Sequence, residues 1–393
     1  MSESTKSVDL KPLDIGQLIV VLCGMFALLA TLSMTFPLLS LLSERLGLSE
    51  KVIGLMGAMP SLGLVVAAFF VPKLNRVLGT FWYLLICAAS ATFIFGGLGL
   101  FKTPWAWFPL LFLMGFAVDG IFVICEGWIN VIANDKNRGR VVGLYGAVAS
   151  LGLTVGPTVL SFTGTQSDVP FLIGMAFLSF FVIPVIILRK SVPTFEGDHG
   201  GGVFGFVRRA PTLVLAVILF GIFETVMAAL FPIYASRAGL SDTEVTTAIA
   251  IMFWGYFSFQ VPIGWIAEKT SARAMILVCS GVGAFGGLLI PHVMTDVWLL
   301  WPVMFLWGGF GAGVYTLALI ELGQRFSGAA MLAGNATFAV AWGVGGIIGP
   351  STAGVLMDEM GEHSFGYLLA VAFGILFLVA VVRRVRRGPS VTS

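Results

Sequence analysis

Long apolar runs broken by short polar stretches recur along the whole chain, at a period far above that of any soluble helix or strand. Crossing a bilayer takes about 20 residues at an α-helical rise. Twelve runs meet that length: 15–42, 52–72, 80–101, 105–132, 141–163, 168–188, 212–235, 243–267, 273–292, 297–324, 330–357 and 364–383. The pattern predicts an all-α membrane protein with twelve transmembrane helices. One interruption is longer than the rest, the polar and Gly-rich stretch 189–211, and it separates two sets of six. The expected parts are a tail over 1–14, a six-helix bundle over 15–188, a linker over 189–211, a second bundle over 212–383 and a tail over 384–393. The opening MSESTKSVDLKPLD carries acids and leads into an apolar run longer than that of a cleavable leader, so it reads as a cytoplasmic tail.

The two sets repeat each other. WAWFPLLFLMG at 105–115 matches WLLWPVMFLWG at 298–308 in Trp, Pro, Phe, Leu and Gly, at an offset of 193. At the same offset GLTVGP at 152–157 matches GGIIGP at 345–350. RLGLSE at 45–50 matches RAGLSD at 237–242 at an offset of 192. Three matches at nearly one offset, each in the corresponding span or loop, identify a duplicated six-helix unit in parallel orientation. The two bundles are thus expected to be related by a pseudo-two-fold axis.

Composition supports lipid as the main solvent: of 393 residues 58% are hydrophobic and only 11% charged, more apolar surface than one soluble domain can bury. The net charge of +2 argues against nucleic acid as a partner. The placement of charge says more. Arg45, Lys51, Lys102 and Arg237 fall on one side of the predicted membrane and the other eighteen of the 22 basic residues on the side of both termini. Positive charge marks the inside, so both termini are expected in the cytoplasm and the chain in the inner, cytoplasmic membrane. Cys23, Cys87, Cys125 and Cys279 lie in apolar runs without metal-ligand spacing and read as small buried hydrophobes. No histidine falls in the middle of a run. Neither a metal nor a cofactor is expected.

Twelve spans, a six-plus-six repeat and a central linker resemble the major facilitator superfamily over the whole chain. Its loop signature between helices 2 and 3 has a second-half counterpart that is recognisable in GWIAEKTSAR, through Gly264, Ile266, Glu268, Lys269 and Arg273. The first-half copy, PKLNRVLG, departs from it: Pro72 replaces the first Gly and Arg76 stands where the acid belongs. The resemblance therefore implies a charge latch around Glu268. Gly152, Gly156 and Pro157 are similar to an element of the family's antiporters, and Gly345, Gly349 and Pro350 repeat it. Close helix packing at a bend accounts for the same residues. The resemblance also implies that helices 1, 4, 7 and 10 line a central cavity.

Four of the 20 acids fall inside the spans: Asp119 and Glu126 on helix 4, Glu224 on helix 7 and Glu321 on helix 10. All lie on helices that the resemblance assigns to the cavity. A charge at the centre of a membrane helix costs on the order of 3 kcal/mol, and no Lys or Arg stands beside the first three. Asp119 and Glu126, seven residues apart, share the stripe Phe112, Gly115, Phe116, Asp119, Phe122, Glu126, with Glu126 about 10 Å further along. They read as a two-step proton relay, with Glu224 as the partner across the cavity. A protonated acid can equally serve as static hydrogen-bonding glue between helices. Glu321 precedes Arg325 by four residues, and a helix-end ion pair explains it. Thr31, Thr35, Phe122, Phe220, Tyr256, Gln260 and Tyr315 are candidate cavity residues, though each type also occurs in ordinary packing.

These features predict a secondary transporter that works by alternating access. Protons and a small-molecule solute are its partners, with the lipid bilayer around a monomer. The proton gradient is its expected energy source, since no phosphate-cradling Gly-rich element is present. Without interior Arg or Lys, dicarboxylates, sugar phosphates and nitrate fit poorly; a neutral or cationic, partly apolar organic solute fits better. The helix-5 element favours export by proton antiport over proton-coupled uptake by symport. A non-transporting sensor or scaffold is the alternative of another class. The chain is not expected to be an enzyme: a two-aspartate protease needs a second interior Asp, and no Ser–His pair lies at membrane depth.

Overall fold

In the computed structural model, residues 14–132, 138–189, 192, 203–326 and 328–387 are described. The tail 1–13, the connection 133–137, most of the linker and the end 388–393 lie outside them, and with them Lys6, Lys11, Lys136 and Lys190. The described residues contain helices and no strand. The helices are α1 Ile15–Arg45, α2 Glu50–Leu78, α3 Thr80–Leu100, α4 Pro104–Ile132, α5 Arg138–Thr163, α6 Val169–Ile187, α7 Val203–Arg209, α8 Pro211–Ala229, α9 Phe231–Arg237, α10 Asp242–Lys269, α11 Ala272–Val293, α12 Val297–Arg325, α13 Gly328–Met360 and α14 Ser364–Arg387. Among the described residues, twelve of them are long and apolar enough to span a membrane. The face on which α1 begins is called here the terminal face, the other the opposite face.

Two details depart from the hydrophobic pattern. The seventh run is two helices: α8 ends at Ala229 and α9 starts at Phe231, because Pro232 in its first turn supplies no N–H to continue the ladder. The linker also carries the short helix α7. Phe206 packs it beside Leu213, Phe338 and Leu322 while Arg208 and Arg209 stay exposed.

The duplication is legible in atomic contacts. A Cβ on Gly63 of α2 would sit 2.0 Å from the Phe112 carbonyl oxygen of α4, and one on Gly255 of α10 would sit 2.1 Å from that of Phe305 of α12. Gly115 meets Pro60 as Gly308 meets Met252. Each contact is thus made twice, by residues at equivalent repeat positions. Because backbone oxygen is what a side chain would strike, Gly255→Val is expected to destabilise the carboxy-terminal half by about 3 kcal/mol or more. Thermal unfolding of purified protein measures it, with Gly323→Val, where nothing lies within 4 Å, as the silent comparison.

RLGLSE and RAGLSD build the same corner twice. Gly47 and Gly239 take left-handed backbone, φ 71° and 98°, which closes α1 and α9. The bonds Leu48 N–Ser43 O and Leu240 N–Ala235 O, both 3.1 Å, complete the turns. Ser241 then caps α10 reciprocally with Glu244. Each corner thereby sets an Arg at the end of one helix and an acid at the start of the next.

The halves meet along α2 against α13 and α5 against α10. From the opposite face inward, Gly354 lies against the Glu50 carbonyl, Gly54 against the Pro350 carbonyl, Gly346 against Ser61 and Gly343 against Val65. Ion pairs seal the opposite face and cross the corners reciprocally: Arg45 pairs with Asp242 and Arg237 with Glu50. Arg237 also reaches Glu44 at 3.3 Å and Glu362 at 3.5 Å, and Thr165 binds both Arg45 and Asp242. Glu126, near the terminal-face end of α4, is by contrast exposed. The cleft between the halves is closed on the opposite face and open towards the terminal face.

Candidate functional site

The cleft has one acidic wall in each half. On α4, Glu126 is open to the cleft, within electrostatic reach of Tyr145 of α5 and Tyr315 of α12. On α8, Glu224 is half-buried and accepts a 2.7 Å hydrogen bond from Trp342 Nε1 of α13. Tyr315 is within reach of both acids, so the two walls converge on one hydroxyl. Phe220, one turn before Glu224, stacks on Tyr315 with ring centres 5.2 Å apart and lies 6.2 Å from Tyr256. Tyr256 is itself close to Glu224, and its hydroxyl, like that of Tyr145, has no hydrogen-bond partner among the described residues. Two carboxyl groups, three tyrosines, a phenylalanine and an indole make an aromatic site with acidic poles. Its chemistry suits a flat apolar body that carries donors or a positive charge.

Helix packing explains why these side chains meet. Gly345 of α13 lies against the Ile218 carbonyl and Gly349 against the Ile222 Cα of α8. This contact turns Trp342, one turn before Gly345, onto the face of α8 that carries Glu224. Gly152 and Gly156 do the same for α5 on α1, against Phe26 and Ala30. The Gly-x-x-x-Gly elements thus pack helices within each half; Pro350, by contrast, lies on the seam against Gly54 and Gly57.

Several residues read as one group from the sequence are separated by the structure. Asp119 is not on the cleft wall: it is 3% exposed and lies beside Tyr83 and Cys87 of α3, although it stays coupled to Glu126. Helix crossing is the reason, since the shared stripe starts against α2 at Gly115 and Pro60 and emerges only at Glu126. Thr31 is buried inside its half, bonded to Ala27 O at 2.8 Å and facing Gly174 O of α6. Thr35 bonds back to Thr31 O at 2.7 Å and lines a narrow cavity near the opposite face with Ser40, Ile53 and Ala229. Phe122 packs half-buried on the core of the amino-terminal half. Gln260 joins the halves through a 3.3 Å bond to Ser150.

The latch implied around Glu268 is built differently. Glu268 is exposed and makes no ion pair among the described residues, and a Cβ on Gly264 would meet only Ile320 of α12, at 3.8 Å. Lys269 lies 3.6 Å over the Trp265 ring. Arg273 instead binds Glu321 at 2.9 Å, beside the expected Arg325 pair at 3.1 Å. The acid that ties α11 to α12 therefore comes from α12.

Trp342 and Tyr145 are the site residues that sequence reasoning missed. For Trp342 a signal existed: it stands one turn from the close-packing element Gly345 and Gly349 of α13. Trp342→Phe is expected to lower stability by about 1–2 kcal/mol, the cost of a half-buried carboxyl group left without its donor. Glu224→Gln, whose amide oxygen still accepts from the indole, is expected to cost less. Thermal unfolding of the two proteins decides the order.

Comparison with known proteins agrees with this architecture. The sequence model of the Major Facilitator Superfamily matches residues 21–241 and again 213–393. The uncharacterized MFS-type transporter YfkF of Bacillus subtilis (strain 168) is 24% identical over 362 residues, 89% of this chain and 90% of its own. The uncharacterized MFS-type transporter YcaD of Salmonella typhi is 23% identical over 379 residues, 94% and 96% of the two chains. Among solved structures, the nucleoside transporter NupG superposes with a TM-score of 0.75 at 16% identity, over 93% of this chain and 98% of that one.

Proposed function

The chain belongs to the Major Facilitator Superfamily, a family of membrane transporters rather than enzymes, and on that premise we propose that it exports a small neutral or cationic, partly apolar organic solute in exchange for protons. One observation carries the reading: Glu126 and Glu224, from opposite halves, both come within electrostatic reach of Tyr315 in one aromatic cleft. An intramembrane carboxyl group exchanges its proton as water reaches it from alternate sides, which makes such acids proton carriers. The same acid can then hold either a proton or a cationic solute. The Lys and Arg distribution supports a cytoplasmic position for both termini, and with it a cleft that faces inward and accepts solute from the cell. Proton-coupled uptake is the second reading; it rests on the same acids and reverses only the order of loading.

The test is purified protein in liposomes under an imposed pH gradient, with a panel of organic cations, neutral aromatic solutes and nucleosides. Nucleosides belong in the panel because a transporter of the same fold carries them. The expected result is movement of at least one solute against its gradient, in the direction opposite to the protons. Solute that moves only down its own gradient, at every imposed pH, overturns the coupling.

A further inference from the structure

Asp119 has no place on the cleft wall, yet it is a carboxyl group sealed inside a membrane-spanning bundle. Its surroundings show what it is built for. Tyr83 and Cys87, one turn apart on α3, stand beside it. The two also crowd Gly120, the next residue on α4: a Cβ there would lie 2.7 Å from both Cys87 Sγ and Tyr83 Oη. Asp119 is 3% and Tyr83 2% exposed, and Asp119 Oδ2 is buried without a hydrogen bond among the described residues. The neighbouring packing is apolar: α2 lays Pro60 and Gly63 against Gly115 and Phe112 earlier on α4, and α1 meets Cys125 through Gly24. Among the described residues, Glu126 is the charged group within electrostatic reach of Asp119.

We propose that Asp119, Tyr83 and Cys87 form a sealed proton-holding site between α3 and α4, separate from the solute wall at Glu224. It rests on the proton-coupled reading above. A hydroxyl and a thiol each both donate and accept. When Asp119 carries a proton, its O–H donates to Tyr83 Oη or Cys87 Sγ. When the proton leaves, the Tyr83 O–H and Cys87 S–H turn to donate to the carboxylate. With a small turn of the carboxyl group, the same three side chains can satisfy both charge states, which a Phe or Ala at either position does not allow. Glu126, about 10 Å along α4 and open to the cleft, is the entry point. Tyr83 and Cys87 are positioning residues, and the solute does not touch the site.

Infrared difference spectroscopy of the full-length protein in lipid, titrated across pH without any solute, tests this. A protonated-carboxyl band lost in Asp119→Asn identifies the group. Tyr83→Phe and Cys87→Ala are expected to displace that band and to move its titration midpoint by about 0.5–1 pH unit, the equivalent of one net hydrogen bond. Cys87→Ser restores it, and Tyr256→Phe, beside Glu224, leaves it in place. A band indifferent to both α3 substitutions overturns the site; should Tyr83→Phe not fold, Cys87→Ala decides alone. If Asp119→Asn abolishes gradient-driven flux while the band ignores α3, only this site fails and the coupled reading stands. If flux survives Asp119→Asn, Asp119 holds no coupling proton and the site fails with it, whatever the band shows.

Discussion

Glu224→Gln is expected to reduce pH-gradient-driven solute movement to the level of empty liposomes while exchange of solute down its own gradient continues. The substitution keeps shape and keeps an oxygen for Trp342 Nε1 at the 2.7 Å contact, so the cleft wall stays in place. What it removes is the ability to gain and lose a proton. A gradient of one pH unit supplies about 1.4 kcal/mol per proton, enough for a tenfold solute ratio. With the acid replaced by an amide that free energy has no route into solute movement, and the steady-state ratio falls from about ten to about one. Rate and ratio must be read together, since a damaged transporter loses rate but a decoupled one loses ratio. A tenfold ratio that persists in Glu224→Gln and in Asp119→Asn assigns the acids to helix packing and removes the basis of the mechanism.

The fold was legible because it rests on length and repetition, both of which a sequence displays directly. Run lengths gave the spans, and matched segments such as GLTVGP and GGIIGP gave the symmetry. Facing directions were harder. The seven-residue spacing of Asp119 and Glu126 fixes their angle on α4 but not which neighbour α4 meets at each depth, so it could not show that Tyr83 and Cys87 cover one acid and the cleft opens to the other. Charge partners across elements were invisible for the same reason: Glu321 was read with Arg325 on its own helix, while Arg273, 48 residues away in sequence, reaches it from α11. Trp342 lay one turn from a recognised packing element, but its contact with Glu224 depends on how closely α13 rides on α8.

The corners that repeat the motif yield the second large effect. Arg237 faces three carboxyl groups at once, Glu44, Glu50 and Glu362, whereas Arg45 faces Asp242 and the Thr165 hydroxyl. Removing Arg237 deletes an attraction and also leaves three acids clustered where the halves touch. Removing Arg45 leaves a single acid with a hydroxyl still beside it. Breaking a partly buried pair costs about 3 kcal/mol, and every 1.4 kcal/mol shifts a two-state population tenfold. Arg237→Ala is therefore expected to favour opening of the opposite face by about a hundredfold, and Arg45→Ala by about tenfold. A Cys introduced at Ser40, on the narrow cavity beneath that face, reports the opening through its labelling rate with a membrane-impermeant thiol reagent. The reciprocal geometry supplies an internal control: exchanging Arg45→Asp with Asp242→Arg rebuilds one crossed pair in reverse and should return labelling close to the starting rate. If Arg237→Ala leaves the rate unchanged, or the exchanged pair labels as fast as either single variant, the crossed pairs do not hold the face shut and the Gly54–Pro350 seam alone closes it.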